Sequence, residues 1–374
     1  MAHTRSGTSG DLVGRLERLA RIESPSRDAA ASERMAAQLA EWWQGAGATV
    51  GFETTDAGTS LVAEVAGEGA PLLLVGHSDT VWPRGALDGA VPWSIDGDIV
   101  RGPGVYDMKS GLLVMIAALE RLHGRRHRSV RVVVVCDEEI GSPTTQALLR
   151  RSAEGVSGVI GFESPHPDGA LKVGRRGSTR LRLEVRGRAS HAALDPEHGI
   201  SAIDELVDQL VRARAVVADP ALPSEVLCNV GTISGGGRAN VVPAHAQAEI
   251  GLRFVDAVTE SRVMAALGEL EPVRPGAVVE TAVLSSRPAW SPSAADAGLV
   301  AAIAAGGRRI GQVVEARPAS GAGDTNLLGS LGIPTVDGFG PRGGGAHADT
   351  EHVSLASLDE RVDLLEALLA DVPG

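Results

Sequence analysis

Residues 130–139 read VRVVVVCDEE. Apart from Arg131, the run up to Cys136 is continuously apolar rather than alternating. That texture belongs to a strand buried on both faces, as in a parallel sheet covered by helices. Three carboxylates, Asp137, Glu138 and Glu139, follow without a break. Like charges at the end of a buried element raise one another's pKa unless a cation or a hydrogen-bond donor opposes them.

The same texture recurs on both sides of this stretch. PLLLVG at 71–76 runs into His77, Ser78 and Asp79, and GVIGF at 158–162 runs into Glu163. SLVAEVAG at 60–67 reads as a further short strand. Apolar residues at helical spacing mark helices over 12–22, 31–43 and 111–122. Alternating helices and buried strands predict an α/β domain whose mixed sheet lies between helices.

From Gly177 the pattern changes. RLRLEVRG at 180–187 alternates polar and apolar, as a half-exposed strand does. A helix over 201–217 follows, then strands at 226–234 and 246–254, a helix over 259–270 and a strand at 277–284. This β-α-β-β-α-β order is the ferredoxin-like pattern. After Arg287 the α/β texture returns: a helix over 297–310, a strand PTVDGFG at 334–340, and a last helix opened by a capping box at Ser357 and Glu360 and running to about residue 372. The expected organisation is a catalytic α/β domain in two parts, 1–176 and 288–374, with an α+β domain inserted at 177–287. No internal repeat is visible.

Composition narrows the function. A chain of 374 residues exceeds one ordinary core. A net charge of -12 and a pI near 5.3 argue against nucleic acid or an anionic membrane as partner. The basic stretch at 121–131 reads as a solvated helix end. Cys136 and Cys228 form no disulfide framework, no apolar run approaches the ~18 residues of a span, and MAHTRSGTSG at 1–10 has no apolar core of a secretory signal. A cytoplasmic location is expected.

Ligands of open α/β sheets sit at the carboxyl ends of the strands. That rule brings His77, Glu138, Glu139 and Glu163 to one edge. Asp107, in GPGVYDMKSG at 102–111, precedes a helix in the same layer, and His347 lies in the glycine-rich GPRGGGAHADTEHV at 340–353. Singly, each has an ordinary explanation: a helix cap, a turn residue, a strand-edge histidine. Together they cannot share one buried edge without a cation. Imidazoles and carboxylates without thiolate suit zinc, cobalt or manganese. Five ligands with one shared carboxylate suit two metals about 3.5–4 Å apart. If the chain turns after His77, Asp79 can accept the other ring N–H of that histidine.

GHSDTVWP, GPGVYDMKSG, DEE, FESP, GRASHA and GGGAH, in this order over about residues 12–372, resemble the zinc exopeptidase family that includes glutamate carboxypeptidase, acetylornithine deacetylase and succinyl-diaminopimelate desuccinylase. RASHAALDPEHGISA, NVVPA and SRPAW are most similar to the bacterial glutamate carboxypeptidase branch. The resemblance implies two zinc ions, one on His77, Asp107 and Glu163, the other on Asp107, Glu139 and His347. It implies Glu138 as general base, Asp79 as the partner of His77, and a cis peptide between Asp107 and Met108. It makes the insert a dimerisation domain, whose His191 reaches the partner's site and steadies an oxyanion. Asn240, Arg253 and Arg287 match substrate-contacting positions, and GAGDTN at 321–326 matches a substrate-side loop. Two places depart from the pattern: Gly251 stands where an aspartate is common, and Arg175-Arg176-Gly177 stands where small hydroxyl residues are expected. His166, His198, His245 and His352 match no family role, and Asp137 reads as structural.

The implied activity is a dizinc amidohydrolase, a homodimer in the cytoplasm. Its substrate would be a small molecule, an N-acyl amino acid or short peptide cleaved at its C-terminal amide. An N-acyl-amino-acid deacylase is the first alternative. A metal-stabilised binding protein without turnover is the distant one, and the presence of Glu138 beside a full ligand set speaks against it.

Overall fold

A computed structural model describes residues 9–372; the N-terminal octapeptide, on which most of the reading about a secretory signal falls, lies outside them. Contacts divide the chain into two units. The second comprises Arg175–Ser291 with Ser320–Ala322, and the other described residues form the first.

The first unit is built on a six-stranded sheet in the order Thr49–Thr55, Gly58–Val65, Arg128–Val135, Glu68–His77, Gly158–Gly161, Thr335–Val336. The two outer pairings beside Arg128–Val135 are antiparallel, and the rest are parallel, so the sheet is mixed. The continuous apolar runs follow from two-sided burial. Leu72, Leu74, Val132 and Val134 pack into one core with the helices Ser9–Arg21, Ala29–Gly45, Ser110–Leu122 and Leu355–Leu369. Leu73, Val75, Val133 and Val135 alternate with them into a second core with Leu148, Leu149, Leu327 and Leu328. Each such side chain contributes about 1.5–3 kcal/mol when buried. A slip of one residue would exchange the two sets, so register is strongly specified. Ser110–Leu122 is buried nearly all round and runs through the middle of the larger core. Gly111 lets its first turn approach the Phe162 carbonyl, which an added Cβ would meet at 2.4 Å. That approach brings residues 107–110 beside the end of the Gly158–Gly161 strand.

The second unit has the predicted β-α-β-β-α-β order. Its antiparallel sheet runs Val226–Gly235, His245–Phe254, Gly177–Arg186, Val278–Arg287. Leu181, Leu183, Val185, Ala248, Ile250 and Leu252 face a core closed by Leu206 of Ala202–Val217 and Val263 of Ala257–Gly268. The alternate residues, Arg180 and Arg182 among them, point away from that core, which explains the half-exposed pattern. The unit extends slightly beyond 177–287 because Arg175 and Trp290 exchange backbone hydrogen bonds of 2.8 and 3.1 Å. Arg175 Nε also donates to the Gly321 carbonyl at 2.5 Å, which attaches the short 320–322 segment.

Two local expectations are corrected. The last helix begins at Leu355, and its cap is Ser354, whose hydroxyl accepts from Ser357 N at 3.2 Å. Ser357 instead accepts from Arg342 N at 2.8 Å, and Glu360 pairs with the Arg342 guanidinium, so the expected capping box does not form. A capping box does open the preceding long helix, Ala294–Arg309, between Ser293 and Asp296. The PTVDGFG strand reduces to Thr335–Val336, because Asp337 leaves the sheet to bridge Lys172. No helix among the described residues is long and apolar enough to cross a membrane.

Candidate metal centre

The sheet register explains how the site assembles. Arg128–Val135, Glu68–His77 and Gly158–Gly161 are parallel neighbours, with His77 opposite Val135 and Val75 opposite Gly161. Their carboxyl ends therefore deliver His77, the Glu138–Ile140 turn and Glu163 side by side. Asp107 comes from the turn before Ser110–Leu122, and the Asp107–Met108 peptide is cis.

Asp107 lies between two imidazoles. Its Oδ1 is 3.1 Å from His77 Nε2, and its Oδ2 is 3.3 Å from His347 Nε2. Glu163 Oε1 lies 3.5 Å from His77 Nε2, and Glu139 Oε2 lies 3.2 Å from His347 Nε2. One ligand atom each of His77, Asp107 and Glu139 lies within 4.8 Å of the others, as does one each of His77, Glu138 and Glu163. All five expected ligands and Glu138 thus come together. His77 and Glu138 are buried, whereas His347, at φ 62, leaves half of its side chain exposed.

The electrostatics show which charge the cluster favours. Burial pushes His77 toward the neutral form, but the hydrogen bonds to Asp107 and Asp79 outweigh it and hold the imidazole well above its usual range. Asp107, then Glu139, raise His347 to about 10. Burial favours protonation of Asp107, yet the two histidines keep its carboxyl far below the usual carboxylate range. The carboxylates thus demand positive charge, and the imidazoles meet that demand with protons. A divalent cation would meet it with neutral imidazoles and displace those protons.

The residues present fit such a cation. Glu139 Oε1 is buried without a hydrogen-bond partner. A carboxylate oxygen left so is costly unless a ligand completes it. The donors are imidazole nitrogen and carboxylate oxygen only; Cys136 is buried and accepts from Ser60 Oγ at 3.5 Å, with burial raising its thiol to about 11.

Supporting carboxylates hold these groups. His77 Nδ1 lies 2.8 Å from the Asp79 carbonyl oxygen and 3.5 Å from its Oδ1. The main-chain oxygen is therefore the nearer of the two Asp79 acceptors, and Nε2 is left facing Asp107 and Glu163. The Asp79 carboxylate mainly orders the DEE turn: Oδ1 accepts from Glu138 N and Oδ2 from Glu139 N, each at 3.1 Å. Ser26 Oγ donates to Oδ2 at 2.6 Å. Asp137 is fully buried and accepts from Thr144 N and Thr144 Oγ1, both at 2.8 Å, and from Thr145 Oγ1. It is a structural residue of the loop, as read. The sequence reading missed Ser26, Lys109 and Glu351. Lys109 is buried, donates to the Ile22 and Pro103 carbonyls at 3.3 and 3.4 Å, and is pushed by burial down to about 8. Lys109 lies in GPGVYDMKSG and Glu351, four residues past His347, in GPRGGGAHADTEHV, both stretches already singled out.

The remaining candidates belong to the second unit. His191 is exposed, and its Nδ1 accepts from Ala193 N at 3.2 Å and Leu194 N at 3.1 Å. Nε2 then carries the proton as a free donor. Asn240 is exposed, and its main-chain carbonyl accepts from Ala192 N at 3.0 Å. Arg253 and Arg287 both pair with Ser178, from opposite sides. Directly opposed residues of a sheet share a face, so the two arginines stand in one row on the face turned away from the helices. His198 and His245 lie beside Asp195 and Glu184 at exposed positions.

Such a centre on such a fold belongs to the metallo-hydrolases. Residues 73–371 match the model of peptidase family M20/M25/M40, more than half of the chain, and the chain belongs to that family. It is 28% identical over 381 residues to carboxypeptidase G2 of Pseudomonas sp. (strain RS-16), covering 96% of this chain and 89% of that protein. It is 28% identical over 326 residues to a putative succinyl-diaminopimelate desuccinylase of Mycobacterium tuberculosis, covering 85% and 88%. Among solved structures, aminopeptidase PepT from Bacillus cereus shares the fold, with a TM-score of 0.75, 22% identity, and coverage of 97% and 98%.

Proposed function

We propose that the protein hydrolyses the C-terminal amide of an N-acyl amino acid or short peptide, using two divalent metal ions. The observation that carries this reading is Asp107, whose two oxygens address two histidines while Glu138 sits in the same cluster. His77, Asp107 and Glu163 would hold one ion, and Asp107, Glu139 and His347 the other. Zinc, with cobalt or manganese as substitutes, would polarise the amide carbonyl and lower the pKa of water there. Glu138 takes the proton of the attacking water and delivers it to the leaving amine, so it ends the cycle as it began. Asp79 keeps Glu138 and Glu139 in register through their main-chain N–H groups.

The second unit supplies specificity in this reading. The Arg253–Ser178–Arg287 row suits a substrate carboxylate, since arginine presents a planar fork of donors. His191, a neutral Nε2–H donor, suits the developing oxyanion, with Asn240 beside it. Ile203, Val207 and Val211 form an exposed apolar stripe at four-residue spacing on Ala202–Val217, which supports a homodimer through this unit. The free cysteines agree with a reducing cytoplasm.

A second reading, deacylation of an N-acyl amino acid, uses the same chemistry and is favoured by the likeness to the desuccinylase. Hydrolysis of dipeptides, N-acyl amino acids and N-succinyl amino acids by the zinc- or cobalt-loaded protein separates them. Activity in a strongly chelated sample would refute both.

A further inference from the structure

We infer that Glu351 is the residue that positions Asp107 for both metal sites, and so sets the affinity of each. The inference rests on the reading that the cluster holds a metal pair. Glu351 is wholly buried, and no cation neutralises it at hydrogen-bond distance among the described residues. Its carboxylate is instead filled by N–H donors. Oε1 accepts from Tyr106 N at 2.9 Å and Asp107 N at 3.1 Å. Oε2 accepts from Gly104 N at 3.0 Å and Trp82 Nε1 at 2.5 Å.

These four donors come from two places, and the acceptor from a third. Trp82 lies five residues past His77, residues 104–107 carry Asp107, and Glu351 lies four past His347. One side chain thus ties together the three segments that bear His77, Asp107 and His347. Val105 and Met108 anchor the segment that bears Asp107 in the core, but its backbone leaves regular structure here: Gly104 has φ 72, and the conformation is non-helical at Asp107 and Met108. Three of its N–H groups converge on a single carboxylate. Those donors are main-chain and cannot be exchanged by evolution or by design, so the acceptor must carry two oxygens with no hydrogen. A glutamine would turn an NH₂ toward two of the donors, and an aspartate would stand back by a methylene. In either case part of this donor set is left without an acceptor, and the segment that carries the bridging carboxylate is held less firmly.

Supports of this kind typically change metal affinity by about 10–100-fold. The pattern across the two sites is the sharper test. Asp107 addresses both histidines, so damage transmitted through it weakens both ions. Damage to the 347–351 loop alone weakens only the ion that His347 serves.

The experiment titrates zinc into metal-stripped full-length protein against a competing chelator, for wild type, Glu351→Gln, Glu351→Asp, His347→Ala and Glu205→Gln. Glu205 is another wholly buried glutamate, fed by Val273 N and Arg274 N at 2.8 Å in the second unit, and controls for general destabilisation. Urea unfolding of each metal-free chain runs in parallel. Wild type is expected to bind two ions. Both Glu351 variants should bind both ions at least tenfold more weakly, His347→Ala should lose one, and Glu205→Gln should keep both affinities despite lower stability. If Glu351→Gln does not fold, Glu351→Asp carries the test alone. Wild-type protein that binds no zinc refutes the metal reading itself. Wild-type binding with unchanged affinities in the Glu351 variants, or with only one site weakened, overturns the role of Glu351 and leaves the metal reading standing.

Discussion

Replacing Asp79 tests whether the DEE turn is organised as its hydrogen bonds indicate. The side chain is buried, and three donors end on it: Glu138 N and Glu139 N at 3.1 Å and Ser26 Oγ at 2.6 Å. A hydrogen bond to a charged group contributes about 1.5–3 kcal/mol. The three share one carboxylate and do not add independently. Asp79→Ala should therefore cost about 3–5 kcal/mol, the range for breaking a buried charged network. Asp79→Asn keeps the shape but offers one acceptor oxygen and turns an NH₂ toward another donor, for a loss of about 1–3 kcal/mol. Urea unfolding of the metal-free chain, followed by tryptophan fluorescence, reads this in the relevant unit, because Trp42, Trp43, Trp82 and Trp93 lie in the first and only Trp290 in the second. Both variants should also lower kcat in the metal-loaded protein, since Glu138 and Glu139 lose their main-chain anchors. An Asp79→Asn protein within about 0.5 kcal/mol of wild type, and with unchanged kcat, would show that the aspartate does not order the turn.

Other outcomes follow from the same geometry. Glu138→Gln should lower kcat by about 10²–10⁴-fold with both metals still bound, as activity and elemental analysis would show; normal turnover would remove its role as base. Mixing His191→Ala chains with Glu138→Gln chains should restore some activity if His191 serves the partner's site; subunit exchange without recovery would mean each site is self-contained. Capping the substrate carboxylate as an amide should lower kcat/KM by a few kcal/mol, and Arg253→Ala should cost about the same on the free acid and little more on the amide; equal cleavage of amide and acid would refute carboxylate recognition. In metal-free protein His347 titrates near 10 against an ordinary value of 6.5. Its stabilising effect is then complete below about pH 6.5 and is lost as pH rises toward 10, so the stability difference between wild type and His347→Ala should shrink over that window; a difference that grows with pH would contradict the geometry.

What the sequence disclosed was set by how local the signal is. Val132–Val135 and Leu72–Val75 announce two-sided burial directly, because every residue of a central parallel strand meets a core. The ligands at the strand ends then follow from register alone. Thr49–Thr55 went unread because its residues are exposed or half-buried at the sheet edge, with Gly51 and Glu53 interrupting any pattern. Ser354 was passed over as a cap for Ser357, since both are serines near the helix start and only the observed donor, Ser357 N, tells them apart. Asp107 was found by its motif, and Glu351 was not, although both lie in stretches already singled out. Three of the four donors to Glu351 are backbone N–H groups some 245 residues away in the chain, and main-chain donors leave no mark on residue identity.

That contrast divides the acids around the centre into two kinds. Asp79, Asp137 and Glu351 are buried and satisfied by N–H and O–H donors of neighbouring loops. They fix the backbone and ask nothing further of a cation. Asp107, Glu139 and Glu163 address the histidines, and Glu139 keeps a buried oxygen without a partner. His77 and His347 are the imidazoles that lie against this second group. Their raised pKa values reflect the negative charge that the fold gathers at this point. If the supporting acids were removed, the ligand acids could move apart and dilute that charge without any metal. With the supporting acids held by N–H donors, the loops that carry the ligand acids stay close, and divalent cations in place of the histidine protons would offset that charge.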